Sequence, residues 1–588
     1  MELLVSLYGG LTVENLIDYN KIKLETMTGN CGGIVGFAGD VKIDGLKGNN
    51  ITVNGTYNSG GLVGVAIPSS TVIVSDIQLS NVDVTGGYAN CGGIVGFVTN
   101  ISVNGLIGEN ITVNGTYNSG GLVGIADTKE EVNISDIQLS NVSVTGNDQV
   151  GGILGIVINP ILDNVTITDL AVTNNGTGNT NTGGLIGNTT KTSYCYDNSS
   201  VTSTAKLSRI TINKSLAGTN KIIGGSTHTG ILLGFGKVIT DDVNISDVTI
   251  DGTKSQTVGT IGMADTGSDV KNITLNNVNV VAGNSGGSIA GISKENITGC
   301  AVSSSTLTAK GSSEAGGIVG IIGDSGKTIS NCNITDSTIT GTNGKLGGIV
   351  GFTKSIISNC TVTNCEVTST GTSAQGVGGI AGYNANYGSG TANITKCEVN
   401  NSAITAVGGY VGGISGFSDN VISDCTIADS NISSTGSSSV GVGGIVGHGA
   451  NITGVDTYIK NCNVIDSNIT GNNMVGGISG GAVAKIERCY IGGKTGETFE
   501  TGEYAVKIKG NTNVGGIIGD AGIINADNYI MITMLGTNIA NSIIEGITNV
   551  DYLIGLHNRF SESYTTGTQV ETITSSNYTD CELNIVTE

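Results

Sequence analysis

The chain has 588 residues and contains 96 glycines, 2 prolines and no tryptophan. Collagen is excluded because the glycines do not recur at every third position and proline is nearly absent. A disordered chain is disfavoured because 38% of the residues are hydrophobic and only 12% are charged. The formal net charge of -21 argues against nucleic acid or an anionic membrane surface as a partner, since both require basic patches.

The N-terminal stretch predicts strands and no membrane span. Residues 1–10 are apolar but lack the basic residues and the cleavage site of a signal peptide, and no apolar run in the chain reaches membrane-span length. Ile22, Leu24 and Thr26 alternate as in a short strand. We therefore expect residues 1–31 to form an incomplete first coil.

A glycine motif starts at residue 32 and organises the rest of the chain. Its clearest copy is Gly316-Gly317-Ile318-Val319-Gly320, and 17 copies can be counted when weaker versions are included. Their last glycines run from Gly36 to Gly555, so 16 intervals span 519 residues and average about 32 residues each. A fixed period of this length predicts a solenoid, in which each repeat packs only against its neighbours.

Tandem duplication has lengthened the N-terminal part of the chain. Residues 31–155 contain a near-copy of themselves displaced by 60 residues, and Ile51–Gly64 is identical to Ile111–Gly124. Copying of this kind adds length and does not by itself create a unique site.

A second pattern lies between the glycine motifs and is clearest in residues 331–341. Cys332 and Ile334 share one face of a strand, an Asp/Asn corner follows, and Ile339 points inward again. We therefore predict a right-handed parallel β-solenoid of about 17 coils of about 30 residues, with three short strands per coil. Its corners use Asn, Asp, Ser and Gly, which tolerate a left-handed backbone.

Two segments depart from the regular spacing of the repeats. Residues 188–229 predict an insertion loop, and Tyr194 and Tyr196 within it are a candidate ligand-binding loop. Residues 32–520 form the regular solenoid in this prediction. Residues 521–588 are expected to supply C-terminal coils or a cap, or alternatively a docking surface.

Seven cysteines share one position of the repeat. That position holds Leu or Ile or Val in earlier coils, as at Leu46 and Ile77, and a position that accepts Ile or Cys is a core position. We predict a ladder of core thiols without disulfides or bound metal. Its members are Cys300, Cys332, Cys360, Cys397, Cys425, Cys462 and Cys489.

The residues do not assemble into a known catalytic pattern. Asp241-Asp242 and His448 look like fragments of polygalacturonase motifs, but about seven coils are expected between them, whereas glycoside hydrolysis needs paired carboxylates at one bond. The other histidines in the sequence are His228 and His557, and with these three histidines neither a zinc-binding helix nor a Ser-His-Asp triad can be assembled. We expect no enzyme activity, no cofactor and no metal.

The glycine motif resembles the GLUG motif of bacterial surface proteins, over roughly residues 32–520. The resemblance implies a surface or secreted location and an adhesive or spacer role. The leading hypothesis is therefore a non-catalytic structural or adhesive extracellular module that self-associates or binds another surface protein or glycans. The alternative is a carbohydrate-binding or carbohydrate-cleaving β-helix, resembling pectate lyases or tailspikes.

Overall fold

The computed structural model is built from short β-strands and divides into two compact units. Unit 1 comprises Met1–Asn284 with Ser288–Glu295, and unit 2 comprises Ser285–Gly287 with Asn296–Glu588. The structure describes residues 11–15, 19–27, 29–128, 130–190, 203–311, 314–385, 392–436, 439–449, 451–452, 455–481, 483–494, 503–520, 523–524, 532–556, 559–560, 571–574 and 577–586.

The predicted fold is confirmed. The chain forms an all-β parallel β-solenoid with about 14 turns of about 31 residues. This number of turns is below the 17 coils predicted from the glycine motifs. In the described residues no helix is long and apolar enough to cross a membrane.

A turn of unit 2 holds five short strands where the sequence predicted three. In one turn these are Ala315–Gly316, Val319–Ile322, Thr328–Ser330, Asn333–Thr335 and Thr338–Gly341. Each pairs in parallel with its counterpart in the next turn, as in Val319↔Val350 and Ile334↔Val362. The glycine motif supplies the first two strands, which we call the first and second glycine strands.

In unit 1 the strands after the glycine motif run together into longer elements that bend at the corners. One turn consists of Cys91–Gly92 and Val95–Gly115, and the next of Ser119–Gly120, Val123–Ala126 and Val132–Gly146. Residues 188–229 include two strands in register with the preceding turn, Ala205–Asn213 and Lys221–Ile223.

The first glycine strands mark the start of each turn. In unit 1 they are Cys31–Gly32, Ser59–Gly60, Cys91–Gly92, Ser119–Gly120, Val150–Gly151 and Asn181–Gly183. In two further turns the first and second glycine strands run together as His228–Gly236 and Thr257–Ala264. In unit 2 they include Ala315–Gly316, Gly344–Gly347, Ala374–Gly378, Gly409–Gly412, Ser439–Gly443, Asn473–Gly476, Thr512–Gly515 and Thr548–Asp551.

The C-terminal region continues the parallel pairing where it is described. Asn538–Ala540 pairs with Asn577–Thr579, and Ser542–Gly546 pairs with Glu582–Ile585. The capping role of residues 521–588 stays a prediction.

Glycine is required in the motif because two backbones meet there. A Cβ atom placed on Gly316 would lie 2.2 Å from the carbonyl oxygen of Val319, and one placed on Gly351 would lie 2.5 Å from the amide nitrogen of Ala315. The two glycine strands therefore pack main chain against main chain, and no side chain fits between them.

Two left-handed corners recur in each turn. In unit 2 the first corner lies before the Asn333–Thr335 strand, at Asn331 (φ 53°), and the second follows it, at Asp336 (φ 50°). The same conformation recurs at Asp76 and Asn81 in unit 1. Asn and Asp tolerate this backbone better than other side chains. The residue after each corner points inward, so the corners alternate with core positions such as Cys332 and Ile77, both fully buried.

Candidate functional site

The predicted ligand loop cannot be placed. Tyr194 and Tyr196 lie outside the described residues, so their role stays a prediction. The sites that can be examined are the thiol ladder, the polar corners and the outer face of the glycine strands.

The seven cysteines of the predicted ladder all lie inside unit 2. Each is free and no more than 2% exposed. Each thiol also donates to the carbonyl oxygen two residues before it, at the first left-handed corner. The Sγ–O distance is 3.3 Å from Cys332 to Ser330 and 3.2 Å from Cys425 to Ser423. Because S–H is a weak donor, the thiol supplies a partner to a buried carbonyl at little desolvation cost.

Burial shields these thiols from solvent. It raises the pKa of the Cys425 thiol well above the usual range, and hydrogen bonds with the neighbouring Cys397 and Cys462 act in the same direction. In unit 1, burial raises the pKa of Cys91 to about 12. Because all seven ladder thiols are at most 2% exposed, the ladder is suited to packing.

A parallel column at the second left-handed corner is built from hydroxyls. Ser337 donates to the carbonyl of Thr335 at 2.7 Å, and its oxygen accepts the amide of Ser305 at 3.1 Å. Ser402 and Ser430 repeat the arrangement. Cys365 occupies the same column and donates to the Thr363 carbonyl at 3.2 Å. Burial raises the pKa of Cys365 to about 11.

This column forms the floor of a polar groove of about 430 Å³ in unit 2. Its floor is Ser337, Cys365 and Ser402, and its walls carry carboxylates and amides. The wall residues are Asp336, Thr338, Asn364, Glu366, Asn401, Ala403, Asp429 and Asn431. Carboxylates and amides of this kind could hydrogen-bond a hydroxyl-rich ligand.

The corner amides that line the groove bond to one another along the stack. Asn364 donates to Asp336, and Asn401 donates to the Oδ1 of Asn364 at 3.2 Å. Lys494 lies 3.1 Å from an oxygen of Asp429 and 3.4 Å from one of Asp466. These contacts give one side of the groove a structural role.

The aspartates that resemble a polygalacturonase motif also make corner contacts. In unit 1, Asp242 takes a left-handed backbone (φ 51°) and accepts a bond from Asn244 at 3.1 Å. Asp241 accepts a bond from Asn272 in the next turn at 2.7 Å. Both carboxylates therefore stabilise the corner.

His448 belongs to a different unit and to an aromatic column on the second glycine strands of unit 2. Its ring lies 6.3 Å from that of Phe417, nearly parallel, and 4.8 Å from that of Tyr410. Its Nδ1 contacts the Gly449 carbonyl oxygen, and burial lowers its pKa. The column continues through Tyr383, which stacks on Phe417 at 4.3 Å, to Phe352. A half-buried, stacked imidazole of this kind is suited to packing.

In unit 1 the corresponding column is aliphatic as well as aromatic and is more deeply buried. Val65, Phe97, Ile125 and Ile156 are at most 3% exposed and form one cluster with Phe37. The sequence left open which side of the glycine strand is buried, and in these turns both sides are.

Sequence reasoning missed an asparagine ladder beside the first glycine strands of unit 1. Asn58 donates to Asn30 at 3.0 Å, Asn90 to Asn58 at 2.9 Å and Asn118 to Asn90 at 2.9 Å. The signal available in the sequence was an Asn directly before each Cys or Ser of the motif. This ladder ties successive turns together inside the protein.

Metal binding has no support in the part of the chain that is described. Among those residues, no group of three or more His, Cys, Asp or Glu side chains could hold a metal ion.

Comparison with known proteins gives no relative. No family model matches the chain, and neither does any curated protein or solved structure. The GLUG resemblance therefore stays a prediction.

Proposed function

We propose that the chain is a non-catalytic structural or adhesive module of a cell-surface or extracellular protein, and that its repeats are of the GLUG class. The observation that carries this proposal is the use of polar side chains at the corners. Among the described residues, many of these corner side chains bond to the corner side chain of the neighbouring turn.

The asparagines of the second corner in unit 1 are the clearest example. Asn81 donates to Asn50 at 3.2 Å, Asn110 to Asn81 at 3.0 Å and Asn141 to Asn110 at 2.7 Å. A chain that devotes its repeated polar groups to cohesion between turns is suited to spanning distance and presenting a surface. Self-association into fibres or layers, or attachment to another surface protein, would use that surface.

Antibody labelling of intact cells of the source organism tests the proposed location and role. We expect antibodies raised against the purified chain to label intact cells, and loss of the gene to reduce attachment of the cells to their natural surfaces. Labelling confined to permeabilised cells would contradict the proposal.

A carbohydrate-cleaving β-helix is the second candidate, and the groove of unit 2 favours it. Asp336, Glu366 and Asp429 place three carboxylates along one groove of about 430 Å³. Hydrolysis of a glycosidic bond needs a pair of carboxylates with divided acid and base roles. Support for this second function would be polysaccharide cleavage by the native chain that is lost when these carboxylates are replaced by amides.

A further inference from the structure

Three tyrosines stand at the same place in successive turns of unit 1. Tyr57 is 55% exposed and Tyr88 is 69% exposed, which is unusual for large aromatic side chains, and Tyr117 is half-buried. Each lies in the short connection between the end of one turn and the first glycine strand of the next. We call Tyr57, Tyr88 and Tyr117 the tyrosine strip.

Backbone and side-chain bonds place these connections directly against one another. The amide of Tyr88 donates to the carbonyl of Thr56 at 2.8 Å, and the Thr116 hydroxyl donates to the carbonyl of Gly86 at 3.3 Å. Adjacent strands of the solenoid are about 4.8 Å apart, so the three connections stack at that spacing along the axis.

The asparagine ladder is adjacent to the tyrosine strip along the chain. Asn58, Asn90 and Asn118 follow the tyrosines by one or two residues, and each donates to the asparagine of the preceding turn. Asn118 is fully buried. These bonds fix the connections that carry the tyrosines, so ordering their backbone adds little to the entropy cost of binding a ligand.

The chemistry of the connections selects an uncharged ligand. Residues 56–58, 87–90 and 116–118 contain tyrosine, threonine, asparagine, glycine and alanine, and no charged residue. The net charge of -21 disfavours an anionic polymer. Tyrosine offers an apolar ring face with a polar hydroxyl at its end, which matches a sugar ring with its C–H face and its peripheral hydroxyls.

We propose that the tyrosine strip binds an uncharged polysaccharide lying along the solenoid axis. This inference rests on the proposed adhesive function and names its partner class. The spacing of successive turns is close to the length of one sugar unit, so consecutive sugars can contact consecutive tyrosines. Duplication of residues 51–64 as residues 111–124 copied Tyr57 as Tyr117 and extended the strip.

Affinity electrophoresis of the full chain tests the proposal. The native protein and a Y57A/Y88A/Y117A variant are run through gels containing hydroxyethylcellulose, mixed-linkage β-glucan, mannan, dextran or polygalacturonic acid. We expect at least one neutral polymer to retard the native chain, and the triple alanine variant to bind that polymer about tenfold more weakly or worse. Polygalacturonic acid should not retard it.

Two matched variants separate loss of contact from loss of fold. Y57F/Y88F/Y117F keeps the ring faces and should retain most of the binding. Leu216→Ala removes a different, fully exposed apolar side chain of unit 1 and should bind as the native chain does. Circular dichroism and the unfolding midpoint confirm that the triple alanine variant is folded.

Three results would overturn the proposal. They are no retardation by any neutral polymer, equal retardation of the folded triple alanine variant, and self-association that depends on the tyrosines without glycan binding, measured by sedimentation velocity. Antibody labelling of intact cells is independent of all three results. If the tyrosine strip fails to bind a polysaccharide, the proposed surface function can therefore still be tested separately.

Discussion

A methyl group placed on Gly316 would lie 2.2 Å from the carbonyl oxygen of Val319 in the same turn. This is far inside van der Waals contact, and the obstacle is main chain, which cannot rotate away. The glycine motif is thus a requirement of close backbone packing, repeated once per turn.

Replacing Gly316 by alanine should therefore destabilise unit 2 severely. We expect Gly316→Ala to lower the free energy of unfolding by on the order of 3 kcal/mol, because the two glycine strands must separate. The matched control is Gly323→Ala in the same turn, where the nearest atom to the new Cβ is 3.9 Å away. Urea unfolding of both variants checks the difference, and equal midpoints would contradict the backbone-packing account.

Two cysteines of unit 2 should respond differently to replacement by serine. Cys397 lies in the apolar ladder, so Cys397→Ser should cost about 1–3 kcal/mol and Cys397→Val should cost less. Cys365 lies in the hydroxyl column between Ser337 and Ser402, so Cys365→Ser should be within about 0.5 kcal/mol of the native chain. Urea midpoints measure both, and an equal cost at the two positions would refute the distinction.

The thiols of the ladder should be unreactive in the folded protein. All seven are at most 2% exposed, and burial raises the pKa of Cys425. Titration with a thiol reagent should label them only after denaturant is added. Rapid labelling of all seven in the native chain would show that the ladder is open to solvent.

The corner asparagines should contribute both backbone conformation and bonds between turns. Asn364 has φ 55°, donates to Asp336 and accepts a bond from Asn401. Asn364→Gly keeps the left-handed backbone but removes the bonds, whereas Asn364→Ala loses both. We expect alanine to be less stable than glycine by about 1–2 kcal/mol. Alanine and glycine variants of equal stability would mean that the corner conformation is not limiting.

Lowering the pH should reduce the free energy of unfolding of unit 1, because protonation of His228 is disfavoured in the folded state. Burial lowers the pKa of this histidine to about 4, and its Nδ1 lies 2.7 Å from the Thr257 hydroxyl. Its pKa in the unfolded chain is about 6.5. Between these two values the unfolded state binds more protons, so the free energy of unfolding falls as the pH falls from about 6.5 to about 4.

The variant His228→Asn isolates this contribution. Its unfolding midpoint should depend less on pH over that interval than the midpoint of the native chain, since Asn181, an uncharged amide, fills the same position one turn earlier. Parallel pH profiles for the two proteins would remove His228 as the cause.

The sequence predicted the repeat and the core but not the surface sites. Spacing alone identified the glycine motif and the Cys332 column, because each returns once per turn. It missed the Thr328–Ser330 strand, since three residues with one inward side chain, Ile329, give too short an alternation. The close packing of the first and second glycine strands depends on contacts between backbones, which a pattern of residue types does not show.

The surface sites depend on which residues the register brings together. Tyr57, Tyr88 and Tyr117 are 31 and 29 residues apart, and Tyr88 lies outside the identical segments Ile51–Gly64 and Ile111–Gly124. Only the pairing of successive turns places them in one strip. The groove at Glu366 and Asp429 is assembled in the same way from several turns.

The central claim is that the chain is a scaffold without a catalytic centre. The most direct test is a hydrolysis assay that compares the native chain with a variant lacking the groove carboxylates. The native chain and an Asp336→Asn, Glu366→Gln, Asp429→Asn variant are incubated with neutral and acidic polysaccharides, and reducing ends are measured. Our account predicts no release of reducing ends by either protein. Turnover by the native chain would contradict it, and loss of that turnover in the folded variant would assign it to the groove carboxylates.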